Sequence, residues 1–145
     1  MTDTDHRQLF LDFSGVLSTQ EWERMGDYVH EDATIEYPQS GERFRGLANI
    51  VAQFENYPDL KPGSSELREV IGGTTYALTP TYTVIGINGS GDRGTAIIRV
   101  HYPDGSWWWV LNLYELRDGK LARSRAFFAP EFEPPEWRAP FRELF

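Results

Sequence analysis

The first half of the chain carries hydrophobic residues at the three- and four-residue spacing of amphipathic helices. This spacing predicts a first helix over about residues 5–16, and a second that starts after a capping box formed by Ser18 and Glu21. A third helix is predicted to begin at Gly46, after a short strand over about 33–37. The apolar faces of the three helices consist of Leu9, Phe10 and Phe13, then Trp22, Met25 and Val29, then Leu47, Ile50, Val51 and Phe54.

Beyond residue 65 the pattern changes to the two-residue alternation of β-strands, interrupted by turn sequences. The clearest turns are Pro103-Asp104-Gly105-Ser106 and Asp118-Gly119, and the second is typical of a two-residue hairpin. The predicted strands span residues 66–79, with a bulge or bend at Gly72-Gly73, then 81–88, 94–102, 107–117 and 120–129. Together the elements predict one α+β domain over residues 1–145, in which three N-terminal helices pack on a strongly curved antiparallel sheet. Residues 130–145 are predicted to form an irregular, proline-containing tail.

Residues that lie opposite one another in a hairpin share a face of the sheet, so the two turns predict which side chains point toward the helices. Counting back from the turns places Val100 opposite Trp109, and Trp109 opposite Phe128. The face predicted to cover a hollow under the helices carries Ile98, Val100, Tyr102, Trp107, Trp109, Leu111, Leu113, Ser124, Ala126 and Phe128. The outer face carries Arg99, His101, Trp108, Val110, Asn112, Tyr114, Arg123, Arg125 and Phe127. Because it mixes aromatic residues with arginine, we interpret the outer face as a subunit contact, in a two-fold homodimer.

The net charge of −8 argues against two classes of partner, because phosphate backbones and anionic membrane surfaces both repel an acidic protein. We therefore expect no nucleic-acid partner and no membrane partner. The chain has no cysteine, which excludes disulfides, thiol catalysis and cysteine-based metal sites. Its histidines lie far apart, so no metal is expected, and no motif indicates a cofactor. The acidic, polar N-terminal segment is unlike a secretory signal, so a cytoplasmic protein is expected.

Two segments resemble one group of related folds. Residues 31–46, EDATIEYPQSGERFRG, run through a strand and a turn to a helix-initiating glycine, and residues 113–128, LYELRDGKLARSRAFF, form a hairpin. With the order of the elements, they resemble the cone-shaped fold shared by nuclear transport factor two, the ketosteroid isomerases and the SnoaL-like polyketide cyclases. The tail sequence FEPPEWRAPF resembles the ending of many bacterial SnoaL-like proteins. The resemblance implies a hollow between the helices and the sheet.

The resemblance also implies where catalytic groups would stand, and this sequence lacks the isomerase set. The isomerases have a general-base carboxylate at the position of Tyr37, and a phenol with a pKa of about 10 is a poor base at neutral pH. Their protonated aspartate falls on Asn112 or Leu113, neither of which is acidic, so we reject that isomerase activity. The cyclases use an acid in the hollow, for which face parity leaves Glu115 near the hairpin end. Dehydratases similar to scytalone dehydratase use tyrosine and histidine, which Tyr37 and His101 could imitate.

A short set of residues is predicted to contact a ligand in the hollow: Tyr37, Tyr102, Trp109, Ser124 and Phe128. The Tyr37 hydroxyl is expected to orient a polar group of the ligand, and the other aromatic side chains to line the pocket. The small Ser124 is expected to leave room for the ligand or to bond a neighbouring carbonyl. A packing role alone also fits each of these residues.

The leading hypothesis is therefore binding of a small hydrophobic or aromatic molecule, with or without cofactor-independent acid/base turnover of the dehydratase, isomerase or cyclase type. The alternative is a non-catalytic dimeric binding or assembly module that acts through the outer sheet face. The sequence leaves open whether the protein is an enzyme. The aromatic residues Phe132, Trp137 and Phe141 of the tail are predicted to pin the tail to the body, to close the mouth of the cone or to cross to a second subunit.

Overall fold

The computed structural model describes residues 1–58, 66–70, 74–78, 82–101 and 104–145, and it describes side chains in these ranges except at 66–70, 74–78, 82–85 and 101. The elements are α1 (Asp3–Thr19), a first 3₁₀ helix (Trp22–Asp27), β1 (Val29–Tyr37), β2 (Glu42–Arg45), α2 (Leu47–Glu55), β3 (Glu66–Val70), β4 (Thr74–Leu78), β5 (Tyr82–Ser90), β6 (Arg93–His101), β7 (Trp107–Arg117), β8 (Lys120–Pro130) and a second 3₁₀ helix (Glu136–Phe141). The α+β class is confirmed.

The helical part differs from the prediction at its first boundary. The capping box of α1 is formed by Thr2 and Asp5, whose side chains each accept a hydrogen bond from the backbone N–H of the other residue. The predicted box at Ser18 is wrong, because Ser18 lies inside the last turn of α1. The chain then forms the short first 3₁₀ helix in place of a second α-helix, and Val29 already belongs to β1.

In the described ranges, the sheet has eight strands in the order β2-β1-β8-β7-β6-β5-β4-β3. It is mixed, and the prediction of a fully antiparallel sheet is wrong, because β1 pairs with β8 in parallel. The predicted long strand over 66–79 is two strands, β3 and β4, that pair with each other in antiparallel orientation. The strong curvature of the sheet stays a prediction.

The face assignment is correct for β6 and β8 but inverted for β7. Val100 lies opposite Trp108, where the prediction had Trp109, and Tyr114 lies opposite Ser124. Two one-residue shifts cause the inversion: the connection from β6 to β7 is one residue longer than predicted, and a bulge interrupts the β7–β8 pairing after Glu115. The shifts cancel at β8. Val110, Asn112 and Tyr114 therefore face the helices, while Trp107, Trp109, Leu111 and Leu113 lie on the outer face.

A buried histidine fixes α1 to the hairpin of β5 and β6. His6 is fully buried, with Nε2 2.8 Å from the Gly91 carbonyl oxygen and Nδ1 3.0 Å from the Tyr114 hydroxyl. Because the carbonyl can only accept, Nε2 donates to it, and the Tyr114 hydroxyl can donate to Nδ1. Burial raises the pKa of Tyr114 to about 12, which keeps its hydroxyl protonated and able to donate. This clamp sets the position of α1 over the sheet.

Candidate functional site

A hollow of about 170 Å³ lies between α1, α2 and the inner face of the sheet. Its walls come from α1, α2, β1 and Tyr57, which follows α2, and β6, β7 and β8 supply its floor. Its lining consists of Phe10, Phe13, Ser14, Leu17, Ile35, Tyr37, Gln53, Phe54, Tyr57, Ile98, Val100, Val110, Asn112, Leu121, Ser124, Ala126 and Phe128. This set contains no carboxylate, histidine, lysine or arginine side chain among the residues whose side chains are described. The hollow therefore favours an uncharged occupant.

The polar groups of the hollow centre on Tyr37, at the end of β1, and Gln53, on α2. The Tyr37 hydroxyl donates a hydrogen bond of 3.1 Å to Gln53 Oε1. The other end of the same amide, Gln53 Nε2, is buried and has no hydrogen-bond partner among the described residues. A buried donor without a partner costs about 1–3 kcal/mol, so a ligand oxygen that reached Nε2 would recover that cost.

Aromatic contacts hold the Tyr37 ring in place. The ring packs edge-on against Phe128 at a centroid distance of 4.9 Å and against Phe44 at 5.1 Å. Gln39, just beyond β1, donates from Nε2 to the Phe128 carbonyl oxygen at 2.6 Å and accepts from the Phe128 backbone N–H. These contacts orient the Tyr37 hydroxyl toward α2 before any ligand arrives.

The structure brings Tyr37, Ser124 and Phe128 together in the lining of the hollow, as their predicted positions require. Trp109 is not with them: the predicted inward orientation is wrong, because the inverted register of β7 places its ring on the outer face. Tyr102 lies outside the described residues. A ligand-binding role for these residues stays a prediction.

Two hollow-facing residues were missed or left open by the sequence. Asn112 lines the hollow and Leu113 is 49% exposed on the outer face, so the inward position in this part of β7 is Asn112. Glu115, the inward acid expected from parity, lies on the outer face opposite Arg93. Gln53 was not identified, although it stands three residues after the buried Ile50 and next to Phe54, on the apolar face of α2.

The outer face carries a second cluster of aromatic and charged groups. The Arg99 guanidinium lies 4.9 Å from the ring centres of both Trp107 and Trp109 and forms an ion pair with Glu131. Large apolar side chains remain 36–49% exposed on this face: Trp107, Trp109, Leu111, Leu113 and Phe127. Exposed apolar surface of this extent is typical of a contact surface.

On the outer face of β1, one carboxylate forms ion pairs with three arginines. Glu36 lies 2.9 Å from both Arg43 Nη2 and Arg123 Nη2, and 3.4 Å from Arg125 Nε. Hydrogen bonds from Arg43 and then Arg123, supported by Arg125, lower the pKa of Glu36 from its ordinary 4.5 to about 2. The contribution of Glu36 to stability is therefore fully present above pH 4.5 and is lost as the pH falls through about 2.

We expect the variant Glu36→Gln to melt at a lower temperature than the parent at pH 7, because the amide cannot balance three guanidinium groups. The difference should shrink below pH 4.5 and vanish near pH 2, where the parent carboxyl is itself protonated. Circular dichroism melts across this pH range measure it. Glu115→Gln, which affects a single exposed pair with Arg93, serves as the control and should show a small, flat difference. A Glu36→Gln difference that did not depend on pH would contradict the assignment.

Among the described residues, no group of three or more His, Asp or Glu side chains lies close enough together to hold a metal ion. No helix in the described ranges combines the length and apolarity needed to cross a membrane.

Comparison with known proteins places this geometry in a family. No curated protein matches the chain. An NTF-2 like protein of unknown function from Burkholderia xenovorans has 22% identity and a TM-score of 0.74, covering 98% of this chain and 96% of its own. A protein from Kribbella flavida, proposed to be a ketosteroid isomerase, has 22% identity and a TM-score of 0.72, covering 99% and 91%.

An LEH-like epoxide hydrolase from M. tuberculosis is also similar, with 15% identity, a TM-score of 0.60, and coverage of 87% of this chain and 84% of its own. At these identities the solved structures establish a shared fold. The family description "SnoaL-like domain" matches residues 10–124, which run from the middle of α1 to the first half of β8. The chain therefore belongs to the family of SnoaL-like domains.

Proposed function

We propose that the protein binds a small, uncharged, mainly aromatic molecule that carries one hydrogen-bond acceptor, in the hollow beneath α1 and α2. The observation that carries this proposal is the unpaired Gln53 Nε2 in a lining free of charged side chains among those described. A charged ligand would lose its hydration without finding a counter-ion there. A wholly apolar ligand would leave the Gln53 Nε2 donor without a hydrogen-bond partner.

The volume limits the size of the ligand. An apolar cavity of about 150 Å³ accommodates one benzene ring, whereas pockets for drug-sized ligands span about 300–1,000 Å³. At about 170 Å³, the hollow suits a molecule of one ring or of two small fused rings. Phe10, Phe13, Phe54 and Phe128 supply the aromatic walls against which such rings pack.

Any turnover in this hollow would depend on hydrogen-bond donation. The described lining offers the phenols of Tyr37 and Tyr57 as its titratable groups. Burial, with a smaller effect of Asp104, raises the pKa of Tyr57, which favours its protonated form. Donation from Gln53 Nε2, whose amide is oriented by the Tyr37 hydroxyl, would polarise a ligand carbonyl, while an isomerase-type carboxylate base has no candidate in the described lining.

Calorimetric titration with a matched set of ligands tests the proposal. 1-Indanone, indane and indane-1-carboxylate share one bicyclic frame and differ only in the acceptor and the charge. We expect 1-indanone to bind, indane to bind about tenfold more weakly, and the carboxylate not to bind at pH 7. Binding of the carboxylate as tightly as the ketone would contradict an uncharged ligand. Equal affinities of indane and 1-indanone would remove the role of Gln53.

The variants Gln53→Met and Tyr37→Phe separate the two polar groups. Methionine keeps most of the glutamine volume but removes the donor, so the affinity for 1-indanone should fall about tenfold, to that for indane. Tyr37→Phe should leave stability nearly unchanged and weaken ketone binding about fivefold, because the Gln53 amide loses the group that orients it. Gln8→Met, at an exposed position of α1, is the matched control. Unchanged ketone affinity in Gln53→Met would contradict the proposed anchor.

A second function, assembly through the outer sheet face, is favoured by the exposed side chains on that face. We propose that the contact is a homodimer, since a two-fold interface pairs a surface with a copy of itself. Ligand binding and dimerisation use opposite faces of the sheet, so the protein can perform both.

A further inference from the structure

We infer that the C-terminal arm, residues 131–145, docks across the outer sheet face of a second copy of the chain. The arm begins directly after β8, and Glu131 is paired with Arg99, so it leaves the body on the outer face. This inference concerns the face opposite the hollow and does not depend on the proposed ligand.

The arm presents large hydrophobic side chains that its own body does not cover. Phe132 is 77% exposed, Trp137 75%, Phe141 87% and Leu144 75%. These values are inconsistent with a tail pinned to its own body, which was one of the sequence-based alternatives. The arm nevertheless has a defined local shape, with the second 3₁₀ helix and a hydrogen bond of 2.9 Å from Arg142 Nη1 to the Pro135 carbonyl oxygen. A shaped, uncovered apolar segment indicates a contact with another molecule.

The outer face matches the arm in charge. In the aligned rows from β2 to β6, this face carries six arginines and two glutamates: Arg43, Arg45, Arg93, Arg99, Arg123, Arg125, Glu36 and Glu115. This basic surface belongs to a protein with a net charge of −8. The first half of the arm is acidic, with Glu131, Glu133 and Glu136 preceding its first arginine at 138. An acidic arm on a basic face is electrostatically complementary.

The face also offers a place for the hydrophobic side chains of the arm. An open groove of about 690 Å³ is lined by Leu113 and by charged side chains, of which three are arginines and two are carboxylates: Arg93, Arg123, Arg125, Asp3 and Glu115. The exposed Leu111 and Phe127 adjoin Leu113 on the neighbouring positions of β7 and β8. Aromatic side chains of the arm can therefore pack on the apolar strip while its glutamates reach the arginines.

A second copy is the occupant that explains both features together. Two outer faces of like charge repel when they approach directly. Acidic arms laid between them reduce that repulsion and cover the exposed rings of both surfaces. With adjacent strands about 4.8 Å apart, an arm of 15 residues is long enough to cross several strands of the partner.

Sedimentation equilibrium of the full chain and of a chain that ends at Pro130 tests the inference. We expect the full chain to dimerise. The truncated chain should have a dimer dissociation constant at least about tenfold higher, and its circular dichroism spectrum should match that of the full chain. Glu133→Arg with Glu136→Arg should weaken the dimer similarly. Glu23→Arg with Glu55→Arg, which makes the same charge change at exposed positions away from the arm, should not.

A mixing experiment distinguishes docking on a second copy from docking on the same copy. The truncated chain retains the face, and a chain with Leu111→Glu and Leu113→Glu retains the arm. Each should be largely monomeric alone, and the mixture should form a heterodimer through one arm. Equal dissociation constants for full and truncated chains, a monomeric full chain, or a mixture without heterodimer would each overturn the inference.

Discussion

Replacing Gly94 by alanine is expected to destabilise the protein by about 3 kcal/mol, the upper end of the range for overpacked cores. A Cβ atom at this position would lie 2.2 Å from the Tyr114 hydroxyl oxygen, 2.3 Å from its Cζ and 2.9 Å from the Asn88 carbonyl oxygen. Tyr114 cannot move aside without breaking its bond to the buried His6. The variant should therefore weaken the clamp that positions α1. Urea unfolding followed by tryptophan fluorescence measures the change.

Gly86→Ala provides the matched control, because a Cβ at Gly86 meets no atom of the described part of the chain within 4 Å. Both residues lie in the central part of the sheet, and neither has a positive φ. We expect the control to remain within about 0.5 kcal/mol of the parent. If Gly94→Ala unfolded at the same urea concentration as Gly86→Ala, this would contradict the close packing of Tyr114 against Gly94 of β6.

Replacing Ala126 by leucine is expected to weaken binding of 1-indanone at least about thirtyfold, equivalent to about 2 kcal/mol. Ala126 is 3% exposed and lies in the floor of the hollow on β8. Three added carbon atoms occupy space that the ligand needs, and they pack against apolar neighbours, so folding stability should be equal or slightly higher. Calorimetry with the ketone and thermal melts of the free variant measure the two effects.

Ala129→Leu is the corresponding control on the same strand. Ala129 pairs with Trp109, on the outer face, and is exposed. It should leave ketone affinity unchanged. Equal affinities of the parent and Ala126→Leu would mean that the ligand binds elsewhere, whereas a loss of folding in Ala126→Leu would show that the space is already filled.

The family could be predicted from short sequences because they encode local structure. The segment over 31–46 combines a strand, a turn and Gly46, which lies just before α2 and has a φ of +86°. The Asp118-Gly119 turn defines the last hairpin. Membership of the SnoaL-like family is confirmed by the match over residues 10–124. Periodicity also identified part of the core, including Phe10, Met25 and Ile50.

The register of β7 could not be predicted from the same information. Parity arguments assume an uninterrupted ladder, and the bulge adds one residue on β8, Ala122 between Leu121 and Arg123, without an obvious mark in the sequence. A shift of one residue in the pairing register turns every side chain of the strand to the opposite face of the sheet. It moved Trp109 and Glu115 outward and Asn112 inward, which changed the membership of the candidate site.

Tertiary contacts that join distant segments were also missed. His6 was noted only as an isolated histidine, yet it is fully buried and bonded to residues more than eighty positions away. The unpaired donor of Gln53 depends on where α2 places its amide relative to Tyr37. Neither arrangement follows from composition or spacing, because both depend on the angle at which a helix crosses the sheet.

A crystal structure of the protein soaked with 1-indanone tests the proposed ligand site in the hollow directly. We predict electron density for the bicyclic ring between Phe13 and Phe128, with its oxygen within hydrogen-bonding distance of Gln53 Nε2. If the protein's own side chains filled the hollow, or if density for the ketone appeared only outside it, the result would contradict the proposed function.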